Sequence, residues 1–329
     1  MMLLVLLVYF LLSSTFVIGK AALSYSQPIF LIAVRMSIAG VALLAYLYLF
    51  DRRQLKFKKE DAWLFAQIAM FHIYLSFVLE FLAYKYVAAS KAAFMFNLSP
   101  FVTALFAYML FKARITRRQL VGMLVAFAGT LPVLVGQEGY AMERATLHIG
   151  FLSLPELCLL GSVVTSAYGW IVMTKLVVDR HYSPVLANGI GMLCGGCAAF
   201  VTSLALEEKP LLKCPLQETN LSYLNQTHWN NLFCCTASDF FMFIGYVLIL
   251  ILVANIIFYN AYGFLLKKYT PTFLSLVGLL CPLFTALLGW IFLGECVTWV
   301  FFVSLAIVVL GAYIFYKDEL RGADNERSL

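Results

Sequence analysis

The sequence predicts an all-α integral membrane protein: ten transmembrane helices arranged as two inverted-topology five-helix repeats. Three observations carry that expectation. Of 329 residues, 63% are hydrophobic and only 12% charged, against about 25% charged in a typical soluble domain. Apolar stretches long enough to cross a bilayer, about 20 residues as helix, recur along the whole length with short polar joints between them. The run NLSPFVTAL at Asn97–Leu105 returns as LLCPLFTAL at Leu279–Leu287, which sets Pro100 and Pro282 apart by 182 residues. A transmembrane barrel would alternate apolar and polar positions, and stretches such as Val5–Phe16 and Val247–Ile257 do not.

The expected spans cover residues 1–19, 28–50, 62–84, 88–111, 116–136, 150–177, 183–206, 238–266, 270–293 and 297–316. The opening MMLLVLLVYFLLSS lacks the basic flank of a signal peptide and is read as an uncleaved first span. Lys and Arg counts along the joints set the orientation. Of the 23 such residues, 16 fall in joints that face inside when the N-terminus is inside, six fall on outer joints or outer span ends, and Arg35 lies within the second span. Both termini are therefore expected on the cytoplasmic side. The net charge of +6 then describes loops facing anionic lipid, and no aromatic-interleaved basic patch points to nucleic acid.

Sliding the second half over the first by 182 also aligns Thr103 with Thr285, Thr116 with Thr298 and Gly129 with Gly311. Earlier helices match at an offset of 156, which pairs Pro28 with Pro184 and Gly40 with Gly196. The expected organisation is a first repeat over 1–136, an outer linker at 137–149, a second repeat over 150–316 carrying an outer loop at 207–237, and a cytoplasmic tail at 317–329. Five spans per copy is an odd number, so the second copy enters the membrane from the opposite side. Inverted repeats with broken helices are the architecture of secondary transporters. Pro100 and Pro282 are accordingly expected as paired hinges that kink their helices and free the Phe96 carbonyl.

Ionisable groups inside spans are costly and mark function by default. His72, Ser76 and Glu80 follow at intervals of four on the third span, and Asn255, Tyr259 and Tyr262 form a matching stripe on the eighth. Arg35 stands about 10 Å from the outer end of its helix and Glu80 about 6 Å from the outer end of its own, with Lys91 near the same surface. An Arg35–Glu80 ion pair and a cavity for a zwitterionic ligand are both open readings of that geometry. Asn97 precedes Pro100 by one turn, and Ser166, Trp170 and Thr174 share a face with Tyr168 beside them. Such aromatics stack on a purine, attract a cation or simply pack.

Ala187, Gly191, Gly195 and Ala199 form a small-residue stripe that permits close helix contact. Cys194 and Cys197 have CxxC spacing without a second pair or a histidine nearby, so neither metal nor cofactor is expected. The outer loop holds Cys214, Cys234 and Cys235 and two N-glycosylation patterns at Asn220 and Asn225.

The stretches Tyr86–Val135 and Pro271–Phe315 resemble the two EamA domains of the drug/metabolite transporter superfamily, and LLSSTFVIGKAA followed by PIFLIAVRMSIAG resembles the first two helices of such a domain. The likeness covers nearly all of residues 1–316. It implies ten helices, metabolite transport without ATP hydrolysis, and a small polar metabolite and the lipid bilayer as partners, with room for a homodimer. One departure stands out: the second copy has Gly294 and Glu295 where the first has Lys112, Ala113 and Arg114. The opening stretch together with the polar outer loop is similar to S-adenosylmethionine carriers of obligate intracellular bacteria such as chlamydiae. That implies exchange of S-adenosylmethionine for S-adenosylhomocysteine across the inner membrane; proton-coupled amino-acid or drug efflux and nucleotide-sugar exchange are the alternatives. A membrane enzyme would need a catalytic constellation, and neither an HExxH, a phosphate-cradling Gly loop nor a Ser/His/Asp set stands out.

Overall fold

The computed structural model describes residues 2–84, 86, 95–112, 115–135, 148–149, 152–207, 237–293 and 299–327. The chain is a bundle of helices: α1 (Met2–Ala22), α2 (Pro28–Phe50), α3 (Ala62–Gln67), α4 (Ser76–Tyr84), α5 (Ser99–Phe111), α6 (Arg117–Val135), α7 (Leu154–Thr174), α8 (Pro184–Leu206), α9 (Ala237–Leu250), α10 (Tyr259–Leu265), α11 (Pro271–Val277), α12 (Cys281–Leu293) and α13 (Trp299–Arg327). A two-residue β pair, His148–Ile149 with Leu152–Ser153, precedes α7. Among the described residues, five continuous stretches are long and apolar enough to cross a membrane: Pro28–Phe50, Lys59–Ala83, Leu154–Asp179, Pro184–Leu206 and Phe241–Leu265. Shorter apolar helices lie at Leu3–Gly19, Phe96–Phe111 and Pro271–Thr285. The last helix runs on to Arg327, past the expected end of the tenth span at 316.

Helices matched by the sequence offsets pack on each other. In α2 and α8, a Cβ added to Gly40 would lie 2.5 Å from the Leu193 backbone nitrogen, and one added to Gly196 would lie 2.6 Å from that of Ser37. Numbers fall on one helix as they rise on the other, so the pair is antiparallel. At its end, the Glu207 carboxylate accepts the Ile29 and Phe30 amides at 2.9 and 3.0 Å and the Ser203 hydroxyl at 2.6 Å. Pro28 opens α2 without an N–H, and Glu207 satisfies the next two donors that the helix itself leaves bare. In α6 and α13, Gly122 meets Gly311 and Phe315 while Gly129 meets Ile307, again antiparallel. The stripe residues Gly191 and Gly195 face Ile68, Ile73 and the Ala69 carbonyl, so α8 is wedged between α2 and the third span.

Two departures from ordinary helix recur in each half. The apolar stretch Lys59–Ala83, expected as the third span, contains a π-helical segment, Ile68–Leu75, between α3 and α4, and the stretch Phe241–Leu265, expected as the eighth, contains Ile251–Phe258 between α9 and α10; both are eight residues long and 183 apart. A 3₁₀ turn, Phe96–Leu98, leads into α5, and another, Gly278–Leu280, leads into α12, with every boundary offset by 182. The two 3₁₀ turns pack against one another. This corrects the expected kinks. Pro100 and Pro282 each stand second in a new helix, where the missing N–H costs nothing. The Phe96 carbonyl is not free either, because it accepts the Ser99 amide.

Candidate functional site

Midway through the bundle, α1, α2, α4, α7, α10 and the two 3₁₀ turns enclose a cavity with about 110 Å³ of space open to water-sized molecules. The periodicity of α4 puts Ser76 and Glu80 on the wall, with Phe77 and Phe81 beside them. Arg35 enters from α2, only 2% exposed, and Glu80 is 8% exposed. The Arg35 guanidinium lies 4.8 Å from the Phe77 ring centroid and 5.5 Å from that of Phe81, an attraction that grows where water is excluded. Two opposite charges thus line one largely apolar chamber.

The facing wall is aromatic. Trp170 lies 3.8 Å from Tyr262 and 5.3 Å from Tyr259, at interplanar angles of 32° and 29°. Phe258 packs edge-on to both Trp170 and Tyr259. From α1, Tyr9 sits edge-on to Tyr262 and donates its hydroxyl to the Leu274 carbonyl. The two matched π-helical stretches each hand over to α-helix at a lining residue, Ser76 in one case and Tyr259 in the other. Such stretches often occur at functional sites because the wider turn re-aims the side chains that follow.

Of the residues singled out from sequence, Arg35, Ser76, Glu80, Ser166, Trp170, Tyr259 and Tyr262 line the cavity together. His72 stands one layer behind, fully buried, its ring 4.3 Å from Trp170 and 5.3 Å from Tyr259. It fits there because residue 169 is glycine: a Cβ at Gly169 would come within 2.3 Å of the His72 Cβ. Asn97 is buried inside the 3₁₀ turn whose flanks, Phe96 and Ser99, reach the cavity.

Two expectations are corrected. Asn255 turns away from the cavity and donates to the Met36 sulfur at 2.9 Å, because i→i+5 bonding through its stretch breaks the spacing that would align it with Tyr259. Tyr168 packs between Phe71 and Phe106, since residues two apart on a helix do not share a face. Lys91, Gly294, Glu295 and the loop cysteines lie outside the described residues. Among the described residues, no cluster of His, Cys, Asp or Glu is arranged to hold a metal.

Sequence reasoning missed Tyr9, Ser99, Ser275 and Cys281 as lining residues. The repeat held a signal for two of them: Ser99 and Cys281 are separated by the same 182 as the prolines they precede.

The EamA-like transporter model matches residues 1–135 and 153–317, nearly the whole chain. The chain belongs to the EamA-like transporter family. It is a multi-pass membrane transporter and not an enzyme. A protein of Chlamydia muridarum named S-adenosylmethionine/S-adenosylhomocysteine transporter is 27% identical over 313 residues, 95% of this chain and 90% of that one. Its namesake in Chlamydia trachomatis serovar L2 is 28% identical over 316 residues, 95% of this chain and 88% of that one. A crystal structure 16% identical, covering 94% of each chain, superposes with a TM-score of 0.66; at that identity it speaks for the fold of this EamA-like transporter alone.

Proposed function

We propose that the protein is a secondary-active carrier that exchanges S-adenosylmethionine for S-adenosylhomocysteine across a bacterial inner membrane by alternating access. In this reading residues 1–136 and 150–316 are inverted five-helix repeats of ten spans in all, joined by an outer linker at 137–149, with both termini cytoplasmic. The antiparallel packing of α2 on α8 and of α6 on α13 supports the inversion. The paired turns at Phe96–Leu98 and Gly278–Leu280 support a broken-helix site at the repeat interface. The names of the chlamydial relatives motivate the substrate.

One observation carries the assignment: a buried cation, a buried anion and a cluster of flat aromatic rings line one cavity. Arg35 would take the substrate's carboxylate, Glu80 its ammonium or sulfonium, and Trp170 with Tyr259 and Tyr262 the adenine. His72 and Asn97 support these walls from behind. At about 110 Å³ the chamber is below the roughly 300–1,000 Å³ of ordinary ligand pockets. It therefore has to expand to admit a nucleoside, and the two 3₁₀ turns are where the helices would flex.

Uptake of labelled S-adenosylmethionine into proteoliposomes tests the reading. Saturable uptake that needs internal S-adenosylhomocysteine is expected, and its absence overturns the substrate. A proton-coupled efflux carrier would instead respond to a pH gradient without internal substrate. S-adenosylmethionine carries a net positive charge at neutral pH and S-adenosylhomocysteine none, so exchange moves charge. An inside-negative potential is expected to speed uptake, with up to about 2.3 kcal/mol per 100 mV available to drive it.

A further inference from the structure

A second cavity, about 490 Å³, lies in the outer surface of the bundle between the third span and α8. Its walls are low because small residues face each other, Ala66 and Ala69 on one side, Gly195 and Ala198 on the other. From Ala62 to Tyr74 the groove climbs about 18 Å along its helix, close to the roughly 15 Å depth of one leaflet's hydrocarbon. Its deep end is closed by a hydrogen bond of 2.6 Å between the Tyr74 and Thr202 hydroxyls. With Tyr74 so engaged, the lining side chains offer nothing stronger than the exposed Cys194 thiol. A groove of that length and polarity suits a hydrocarbon chain and gives a peptide no partner for its backbone.

The other end carries charge. Phe57 forms the mouth, packed edge-on to Phe65 at 5.2 Å, and its chain neighbours Lys56 and Lys58 are exposed, as is Lys59 just before the groove wall begins. Exposed Glu60 offsets one of these three charges, and Asp61 offsets none. It is turned inward, 2% exposed, accepting the Tyr182 hydroxyl at 2.8 Å with the Arg180 Nε at 3.3 Å. An apolar slot one leaflet deep with cations at its rim has the layout of a phospholipid: tail, then headgroup.

We infer that this groove binds one acyl chain of an anionic phospholipid, with the headgroup phosphate held by Lys56, Lys58 and Lys59. Native mass spectrometry of the purified full-length protein, titrated with phosphatidylglycerol or phosphatidylcholine, tests this independently of what is transported. The wild type is expected to retain phosphatidylglycerol preferentially. Each Lys→Gln change at 56, 58 or 59 is expected to weaken that adduct about fivefold and to leave phosphatidylcholine unaffected. Ala198→Phe, at an exposed position, fills the slot and is expected to abolish the adduct; Ala66→Leu does the same from the opposite wall should the first variant fail to fold. Equal retention of both lipids, an adduct surviving both groove variants, or a protein dimer dissolved by Ala198→Phe would each overturn the proposal.

Discussion

Ser76 and Tyr259 occupy equivalent places, each the first α-helical residue after a π-helical stretch and each on the cavity wall. Around them the two halves diverge. At the offset of 183, Leu79 answers to Tyr262 and Glu80 to Gly263; at the offset of 156, Arg35 answers to Gly191. Where the first half carries a charge, the second carries a glycine at a tight crossing: a Cβ on Gly263 would lie 2.6 Å from the Pro184 Cβ, and one on Gly191 2.6 Å from the Ile68 Cγ2. Backbone plan is thus shared while side-chain chemistry is divided, charges from one half and stacked aromatics from the other. The division fits a carrier whose halves move alike around a ligand that is itself polar at one end and flat at the other.

The largest expected effect tests the charged half. Removing one member of a desolvated charge contact costs about 2–5 kcal/mol, so Glu80→Gln is expected to lower kcat/KM for S-adenosylmethionine about thirtyfold or more in proteoliposomes. Moving the carboxylate to the equivalent place, Glu80→Gly with Gly263→Glu, is expected to restore nothing and to lower the melting temperature, because the new side chain meets Pro184. Recovery of transport in that double variant would show the halves to be interchangeable.

The aromatic half should answer more mildly. Stacking on a base contributes about 1–3 kcal/mol, so Trp170→Ala is expected to raise KM roughly fivefold to 150-fold with kcat little changed. Trp170→Tyr should recover most of the loss. A fall in kcat at constant KM would assign Trp170 to packing or movement and away from binding.

How much of this was legible beforehand depends on the kind of signal. Arg35, Glu80 and Trp170 announce themselves because charge and indole stand out in apolar spans, and helical spacing carries Ser76 along with Glu80. The spacing argument assumes 3.6 residues per turn throughout, and it failed at Asn255, inside the π-helical stretch. Tyr9 gave no signal: a single tyrosine in an apolar helix reads the same whether it lines a cavity or packs. Gly40 and Gly196 matched in the repeat, yet nothing in the letters said that the two matched helices press against each other. Sequence periodicity reports which face of a helix is special; it takes the packed bundle to say what that face meets.

The prolines show the same limit and give the smallest expected effect. Their pairing was legible, but a proline inside an apolar run reads as a kink, whereas the structure has a helix that stops, turns once as 3₁₀ and restarts. Replacing Pro100 by Ala removes no hydrogen bond and supplies an N–H that can compete for the Phe96 carbonyl, favouring a straighter helix. Straightening would draw Phe96 and Ser99 off the cavity wall, and Pro282→Ala would act likewise on Gly278 and Cys281. Each single variant is expected to slow turnover roughly threefold, a fraction of a kcal/mol in the barrier, with near-wild-type melting. The double variant discriminates further. Independent breaks would multiply to roughly ninefold, but the two 3₁₀ turns pack on each other, so straightening one removes the surface on which the other rests. A double effect distinctly different from the product of the singles is therefore expected, and a simple product would mean that each half bends on its own.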